Sequence, residues 1–237
     1  MGLGTQKVEK EIKNLFPGAR VTRIDSQIAK GNNYQEETYR DFSTHKIDIL
    51  IGTQMITKGW DLPSVSLVGI IDTDNALSIP DFSSYEKFYQ NLAQISGRVA
   101  RPGARFPGVV IIQTYQPENK LLKAAAEKNY TDFYATEIKE RKALSFPPHG
   151  KLVKLVFQDY SLQKTEAETG RLYEILKNIP VIKVMEAQNS FVPKINGRFR
   201  KQIIIKCKGS SIPEKLEAEL KKLKAGWTID IDPVSTT

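Results

Sequence analysis

The sequence predicts an α/β chain in two parts: a parallel sheet with helices on both faces over residues 1–146, then a small α+β domain over 147–237. Three observations carry that expectation. The first part holds near-continuous apolar runs at 46–51, 66–71 and 108–114, separated by stretches of helical periodicity. Strands apolar on both faces belong inside a parallel sheet. The run Phe146-Pro147-Pro148-His149-Gly150 then breaks the pattern, because proline donates no N–H and restricts the residue before it. Beyond it, strand, helix, strand, strand, helix and strand follow in order, which suits a ferredoxin-like βαββαβ domain.

Element by element, residues 5–16 place Val8, Ile12, Leu15 and Phe16 at helical spacing, and Pro17-Gly18 stops the helix. Residues 19–24 read as a short strand and 34–43 as a second amphipathic helix. The three apolar runs supply further strands, and 83–99 reads as the helix before the last of them. Residues 119–146 look helical and polar. In the second part the strands are 151–157, 181–186, 199–207 and 228–231, with helices at 162–176 and 212–223. The stretch 193–201, P-K-I-N-G-R-F-R-K, reads as a basic loop between the middle strands.

Composition limits the possible functions. The 237 residues are 40% hydrophobic and 26% charged, as in an ordinary globular chain, with a formal charge of +8. That charge favours an anionic partner, nucleic acid being the simplest, although a generally basic enzyme would share it. The single cysteine, Cys207, excludes an internal disulfide and a cysteine-built zinc site; it sits in an apolar run and reads as a buried structural thiol. No apolar run approaches the roughly 20 residues of a membrane span and no signal pattern opens the chain, so a cytoplasmic location without a membrane partner is expected.

Two stretches carry chemistry. The first, 52–61 (G-T-Q-M-I-T-K-G-W-D), follows the strand at 46–51, and ligands of open parallel sheets bind at the carboxyl ends of strands. Gly52 permits a close turn, Thr53 and Gln54 offer hydroxyl, amide and main-chain N–H groups to a phosphate, and Lys58 and Gly59 follow. Asp61 can accept a hydrogen bond from a ribose hydroxyl. Alone, Gly-Thr-Gln reads as a helix cap after a strand. The second stretch, 94–101 (Q-I-S-G-R-V-A-R), places Gln94, Gly97, Arg98 and Arg101 at i, i+3, i+4 and i+7, one stripe of a helix. Such a stripe is a poor core, since buried guanidinium needs a paired anion. Two arginines on one face can stabilise the charge on a transferring phosphoryl group. The sequence has no G-x-x-x-x-G-K-[ST] phosphate cradle and no D-E-x-H-type magnesium motif. The two stretches therefore read as half of an ATPase. In the second part Lys194, Arg198, Arg200 and Lys201, with Phe199 among them, suit contact with a nucleic-acid backbone and stacking on a base. A solvated hairpin with Phe199 packed inward is the other reading. His45 and His149 lack metal-ligand spacing, Tyr85, Phe88, Tyr89 and Leu92 read as the core face of their helix, and Trp60 could pack under its loop or meet DNA.

Taken together, residues 52–74 (GTQMITKGWDLPSVSLVGIIDTD), Pro80-Asp81-Phe82 and 94–101 strongly resemble the second motor lobe of the primosomal protein N′ (PriA) family of superfamily 2 replication-restart helicases. Pro147-Pro148, the K-I-N-G-R-F-R run at 194–200 and D-I-D-P at 230–233 extend the resemblance through the second part. Ala100 stands where the family commonly has glycine, a methyl a helix tolerates. The resemblance implies a RecA-like lobe followed by the family's C-terminal domain, in an ATP-dependent 3′→5′ DNA helicase that assembles the primosome at stalled forks. It implies Arg101 as arginine finger, Arg98 and Gln94 at the γ-phosphate, and Asp61, Gly97 and Gly59 lining the nucleotide. Thr53, Gln54 and Lys58 would face the translocating strand. ATP and Mg²⁺ would be held mainly by a first lobe outside this sequence. The family's zinc region would also lie outside it, because G-L-G-T at 2–5 resembles the stretch that follows the last zinc cysteine. The chain alone is then expected to be inactive as an ATPase. Forked or single-stranded DNA, single-stranded DNA-binding protein and primosome proteins are the implied partners. A non-enzymatic nucleic-acid or partner-binding module, or another superfamily 2 motor, are the alternatives.

Overall fold

The computed structural model describes residues 4–25, 32–53, 65–99, 107–209 and 211–236. The chain divides into two compact units. Unit 1 is Met1–Ser78 with Glu86–Tyr130, and unit 2 is Ile79–Tyr85 with Thr131–Thr237. The division differs from the boundary at 146/147: the helix after Tyr130 and a seven-residue segment from the middle of the first part join the second unit. Local periodicity marks where a helix starts and stops but not which core it packs on.

Unit 1 contains helix α1 (Thr5–Leu15), strand β1 (Val21–Ile24), α2 (Asn32–Ser43), β2 (Ile49–Gly52), β3 (Leu67–Ile70), α3 (Thr73–Leu77), most of α4 (Ser84–Val99), β4 (Val109–Ile112) and α5 (Lys120–Ala126). The strands pair in parallel, β1 with β2 (Val21 opposite Ile49) and β3 with β4 (Leu67 opposite Val109). That is the expected α/β pattern. Burial departs from expectation, because Leu67, Val109 and Ile111 remain about half exposed, at 58%, 46% and 56%. An apolar run identifies a strand, not what covers each face. Leu15 and Phe16 are likewise exposed, and α1 is seated instead by a shielded ionic cluster: Arg23 meets Asp25 at 2.9 Å and Glu9 at 3.1 Å, and the Thr5 hydroxyl donates to Asp25 at 2.8 Å. The expected helix at 119–146 is two helices, with the break at Lys128 in the left-handed region (φ 57°). Asn119 caps α5, its side chain accepting from the Leu121 and Leu122 amides.

Unit 2 contains α6 (Tyr130–Ala143, from its second residue), β5 (Gly150–Asp159), α7 (Leu162–Leu176), β6 (Ile182–Val184), β7 (Gln188–Ile195), β8 (Arg198–Lys208), α8 (Glu214–Leu220) and β9 (Trp227–Ile231). The antiparallel sheet runs β6-β8-β5-β9, and β7 pairs with β8 beyond β6. β7 is an element the sequence reading did not contain. Its residues are mostly exposed, so they lack the apolar alternation that announces a strand. On one sheet face Val153, Leu155, Ile203, Ile205 and Cys207 pack with Leu172 and Leu176 of α7 and Leu216 and Leu220 of α8. Each such buried aliphatic contributes about 1.5–3 kcal/mol. Cys207 is the expected buried thiol, and burial raises its pKa. Thr165 and Thr169 are also fully buried on α7; their hydroxyls are satisfied by the carbonyls of Ser161 (2.8 Å) and Thr165 (2.7 Å).

Candidate nucleic-acid interface

In unit 1, Thr53 is exposed directly after β2, at the carboxyl end of its strand. Gln54, Lys58, Gly59 and Asp61, with Trp60, lie outside the described residues, as do Arg101 and the side chain of Arg98. The helix that carries the second motif is well defined. Along α4, Leu92, Ser96 and Val99 are buried, at 2%, 6% and 3% exposure, while Gln94 and Gly97 are exposed. The buried positions recur at i, i+4 and i+7, so Gln94 and Gly97 of the motif occupy a different side of the helix. A Cβ built at Gly97 would meet nothing within 4 Å. Among the described residues no neighbour requires glycine there. Of the aromatic positions expected in the core, Leu92 is buried, whereas Tyr85, Phe88 and Tyr89 are half-buried, with Tyr89 edge-on to Tyr130 at 5.9 Å.

In unit 2 the expected basic loop is instead the tip of the β7–β8 hairpin. Only Asn196 and Gly197 form the turn, both with positive φ (49° and 80°), the backbone of a type I′ hairpin. The four cations are therefore not one patch. Successive strand residues point to opposite faces, so Arg198 and Arg200 share a side of β8 with Gln202, while Phe199 and Lys201 share the side of Ile203. Lys201 is engaged by Glu166 of α7 at 3.2 Å. Lys194 stands directly across from Phe199 with its ammonium 4.4 Å from the ring centre. Phe199 is half-buried, neither fully inward nor a free platform. The Arg198 guanidinium lies 5.0 Å from the ring of Tyr160, and the Arg200 guanidinium donates to the Val192 carbonyl at 3.5 Å.

Tyr160, 67% exposed, belongs to this surface and sequence reasoning missed it. It reaches Arg198 only because β5 and β8 pair with Asp159 opposite Phe199, and no local signal announces that register. Further along β8, Lys206 sits 3.5 Å from the centre of the Phe146 ring and donates to the Leu144 carbonyl at 3.3 Å. Burial, with Lys183 adding repulsion, lowers its pKa. His45 and His149 are exposed, and among the described residues no group of three His, Cys, Asp or Glu side chains could hold a metal.

Residues 4–103 match the helicase conserved C-terminal domain family, and residues 142–234 match the primosomal protein N C-terminal domain family. The replication restart protein PriA of Chlamydia pneumoniae is 35% identical over 248 residues, covering 99% of this chain and 32% of that protein. The chain belongs to the PriA family. Its similarity to PriA of Bacillus subtilis (36% identity over 98% of the chain) and of Thermotoga maritima (34% over 97%) spans both units in the same order. The chain spans about a third of the length of these relatives, 32%, 28% and 31% respectively. Both parts on which the resemblance rested are thus family sequence. No described helix is long and apolar enough to cross a membrane.

Proposed function

We propose that this chain supplies the second motor lobe and the C-terminal domain of an ATP-dependent 3′→5′ DNA helicase acting in replication restart. The observation that carries the reading is α4: Leu92, Ser96 and Val99 are buried while Gln94 and Gly97 of the Q-x-x-G-R-x-x-R motif stay exposed. A helix built this way holds its polar stripe rigidly toward a ligand. Arg101 serves as arginine finger, Arg98 and Gln94 address the γ-phosphate, and Asp61, Gly97 and Gly59 line the nucleotide. ATP and Mg²⁺ are held mainly by a first lobe, and closure of the two lobes brings the arginines to the phosphoryl group as its charge develops. Thr53, Gln54 and Lys58 contact the strand that moves, so that closing and reopening step the DNA. The chain alone does not hydrolyse ATP, since it has no phosphate cradle to present the nucleotide.

The RecA-like reading of unit 1 is supported by its parallel strand pairs between helices. The ferredoxin-like reading of unit 2 is supported by the order β6-β8-β5-β9. Unit 2 reads forked or single-stranded DNA through Arg198, Arg200 and Lys194, with Lys201 secondary because Glu166 occupies it. Single-stranded DNA-binding protein and primosome proteins are the partners, in the cytoplasm. In the whole protein Arg101→Ala should abolish DNA-stimulated ATP hydrolysis with little change in DNA affinity. Turnover at the unmodified rate would overturn the assignment.

A further inference from the structure

The side of β8 that carries Arg198, Arg200 and Gln202 continues through Ile204 to Lys206, because β8 pairs with β5 in unbroken register from Phe199 to Lys208. Six residues of strand separate Arg200 from Lys206, about 20 Å. Beside this stretch lies a cavity of about 520 Å³, lined wholly by residues of unit 2, Gln202, Ile204 and Lys206 among them. Its size suits a small ligand or one group of a larger one. The Phe82 and Phe146 rings that line it are engaged, with each other at 5.3 Å and with the Arg141 and Lys206 cations. Phe191 is different: it lines the same cavity, is 65% exposed, and has no ring partner among the described residues. It stands in the part of β7, between Asn189 and Lys194, where the register with β8 shifts. Such an irregularity re-aims side chains.

The cations at the Lys206 end lack an anion. An ammonium has three N–H donors; Lys206 gives one to the Leu144 carbonyl at 3.3 Å, and among the described residues no carboxylate pairs with it. Directly opposite on β6 is Lys183, exposed and also without a carboxylate partner among the described residues. Like charges directly opposite across a strand pair are destabilising. Burial and Lys183 lower the Lys206 pKa, as expected of an ammonium without a counter-ion. The carboxylates lining the cavity do not supply one. Glu137 pairs with Arg141 at 2.8 Å, Asp81 accepts from Ser83 at 3.0 Å and from Ser235, and Glu140 is exposed.

We propose that this side of β8 is a track for single-stranded DNA, in which one unstacked base enters the cavity against Phe191 while Lys206 and Lys183 hold a neighbouring phosphate. An acidic peptide would need only the cavity. The cations that continue along the same side of β8 to Arg200 and Arg198 favour a polyanion with regularly spaced charge and bases to stack. The track rests on the reading of unit 2 as DNA-binding, and its test separates the two. The 237-residue chain is titrated with a labelled oligonucleotide of about twelve thymidines. Phe191→Ala, at an exposed position, should weaken binding roughly tenfold without altering the salt dependence. Lys183→Gln and Lys206→Gln should each weaken it severalfold and flatten the plot of log K against log salt by about 0.7. Should Lys206→Gln fail to fold, the exposed Lys183 decides alone. An oligonucleotide carrying 5-iodouracil should photo-crosslink to the peptide that contains Phe191. Unchanged affinity in Phe191→Ala and Lys183→Gln overturns the track. If Arg198→Ala/Arg200→Ala weakens binding in the same assay while those two do not, only the track falls; if the unmodified chain binds no oligonucleotide at low salt, the DNA-binding reading of unit 2 falls with it. An acidic peptide that binds in dependence on Phe191, where the oligonucleotide does not, also overturns the track and gives the cavity to a protein.

Discussion

The motif helix of unit 1 and the basic hairpin of unit 2 look alike in sequence, each a short cluster of cations with one glycine, and the structure treats them in opposite ways. On α4 the motif residues are spaced by three and four, the period of a helix, so Gln94 and Gly97 emerge on an exposed side while Leu92, Ser96 and Val99 are buried. On β8 the cations are spaced by one and two, so the pleat divides them. Lys201 goes to Glu166 on α7, and Arg198 goes to Tyr160. A cluster in sequence becomes a cluster in space only when its spacing matches the period of the element that carries it. The glycines differ likewise. Gly97 faces open space, whereas the turn glycines adopt backbone that L-residues avoid.

The strongest way to break this comparison is at a turn glycine of unit 2. Gly226 has φ +100°, and a Cβ there would lie 2.7 Å from the Phe157 ring. Gly226→Ala should cost about 2 kcal/mol or more of stability, measured by urea unfolding; a cost near zero would show that the turn before β9 is not rigid.

The hairpin itself comes next. Replacing Arg198 and Arg200 together with alanine should weaken binding to forked DNA on the order of tenfold. It should also flatten the plot of log K against log salt, by roughly 0.7–0.9 for each phosphate that is no longer neutralised. Lys201→Ala should change both by less than half as much, because Lys201 is already paired with Glu166. Equal effects would mean that the division of cations by the pleat does not govern DNA binding.

A smaller effect of opposite sign is expected on the helix. Gly97→Ala fills open space and should raise thermal stability by about 0.5–1 kcal/mol. In the whole protein the same change should lower turnover if, as proposed, Gly97 lines the nucleotide, because the added methyl would occupy that surface. Stabilisation with full activity would remove Gly97 from the nucleotide side.

The smallest effect is one of pH. The Arg171 guanidinium hydrogen-bonds the Glu168 carboxylate, and the Trp227 indole donates to it at 3.1 Å, which together hold its pKa below the usual 4.5 against the opposing effect of burial. The contribution is therefore present above pH 4.5 and lost as pH falls through the lower folded-state value. Because the Arg171 side chain is half exposed and water screens the pair, it should amount to less than about 1 kcal/mol. Glu168→Gln should make unfolding less dependent on pH below 4.5; an unchanged profile would show that the Glu168 carboxylate contributes nothing to acid stability.

The sequence by itself determined the order and type of most elements, the family, and the helix that carries Gln94 and Gly97, because these rest on interactions within about four residues along the chain and on local apolar pattern. Helix α7 was legible to its last residue, and β8 to within one residue at each end. Tertiary structure alone decided what depends on register and on remote partners. The pairing of β5 with β8 brings Tyr160 under Arg198, and β7 forms from residues too exposed to show an apolar pattern. Asp81 lies 154 residues from Ser235 along the chain, and only the packed sheet of unit 2 makes them neighbours. No local propensity encodes such a pairing, since its cost in chain entropy is repaid by burial elsewhere in the core.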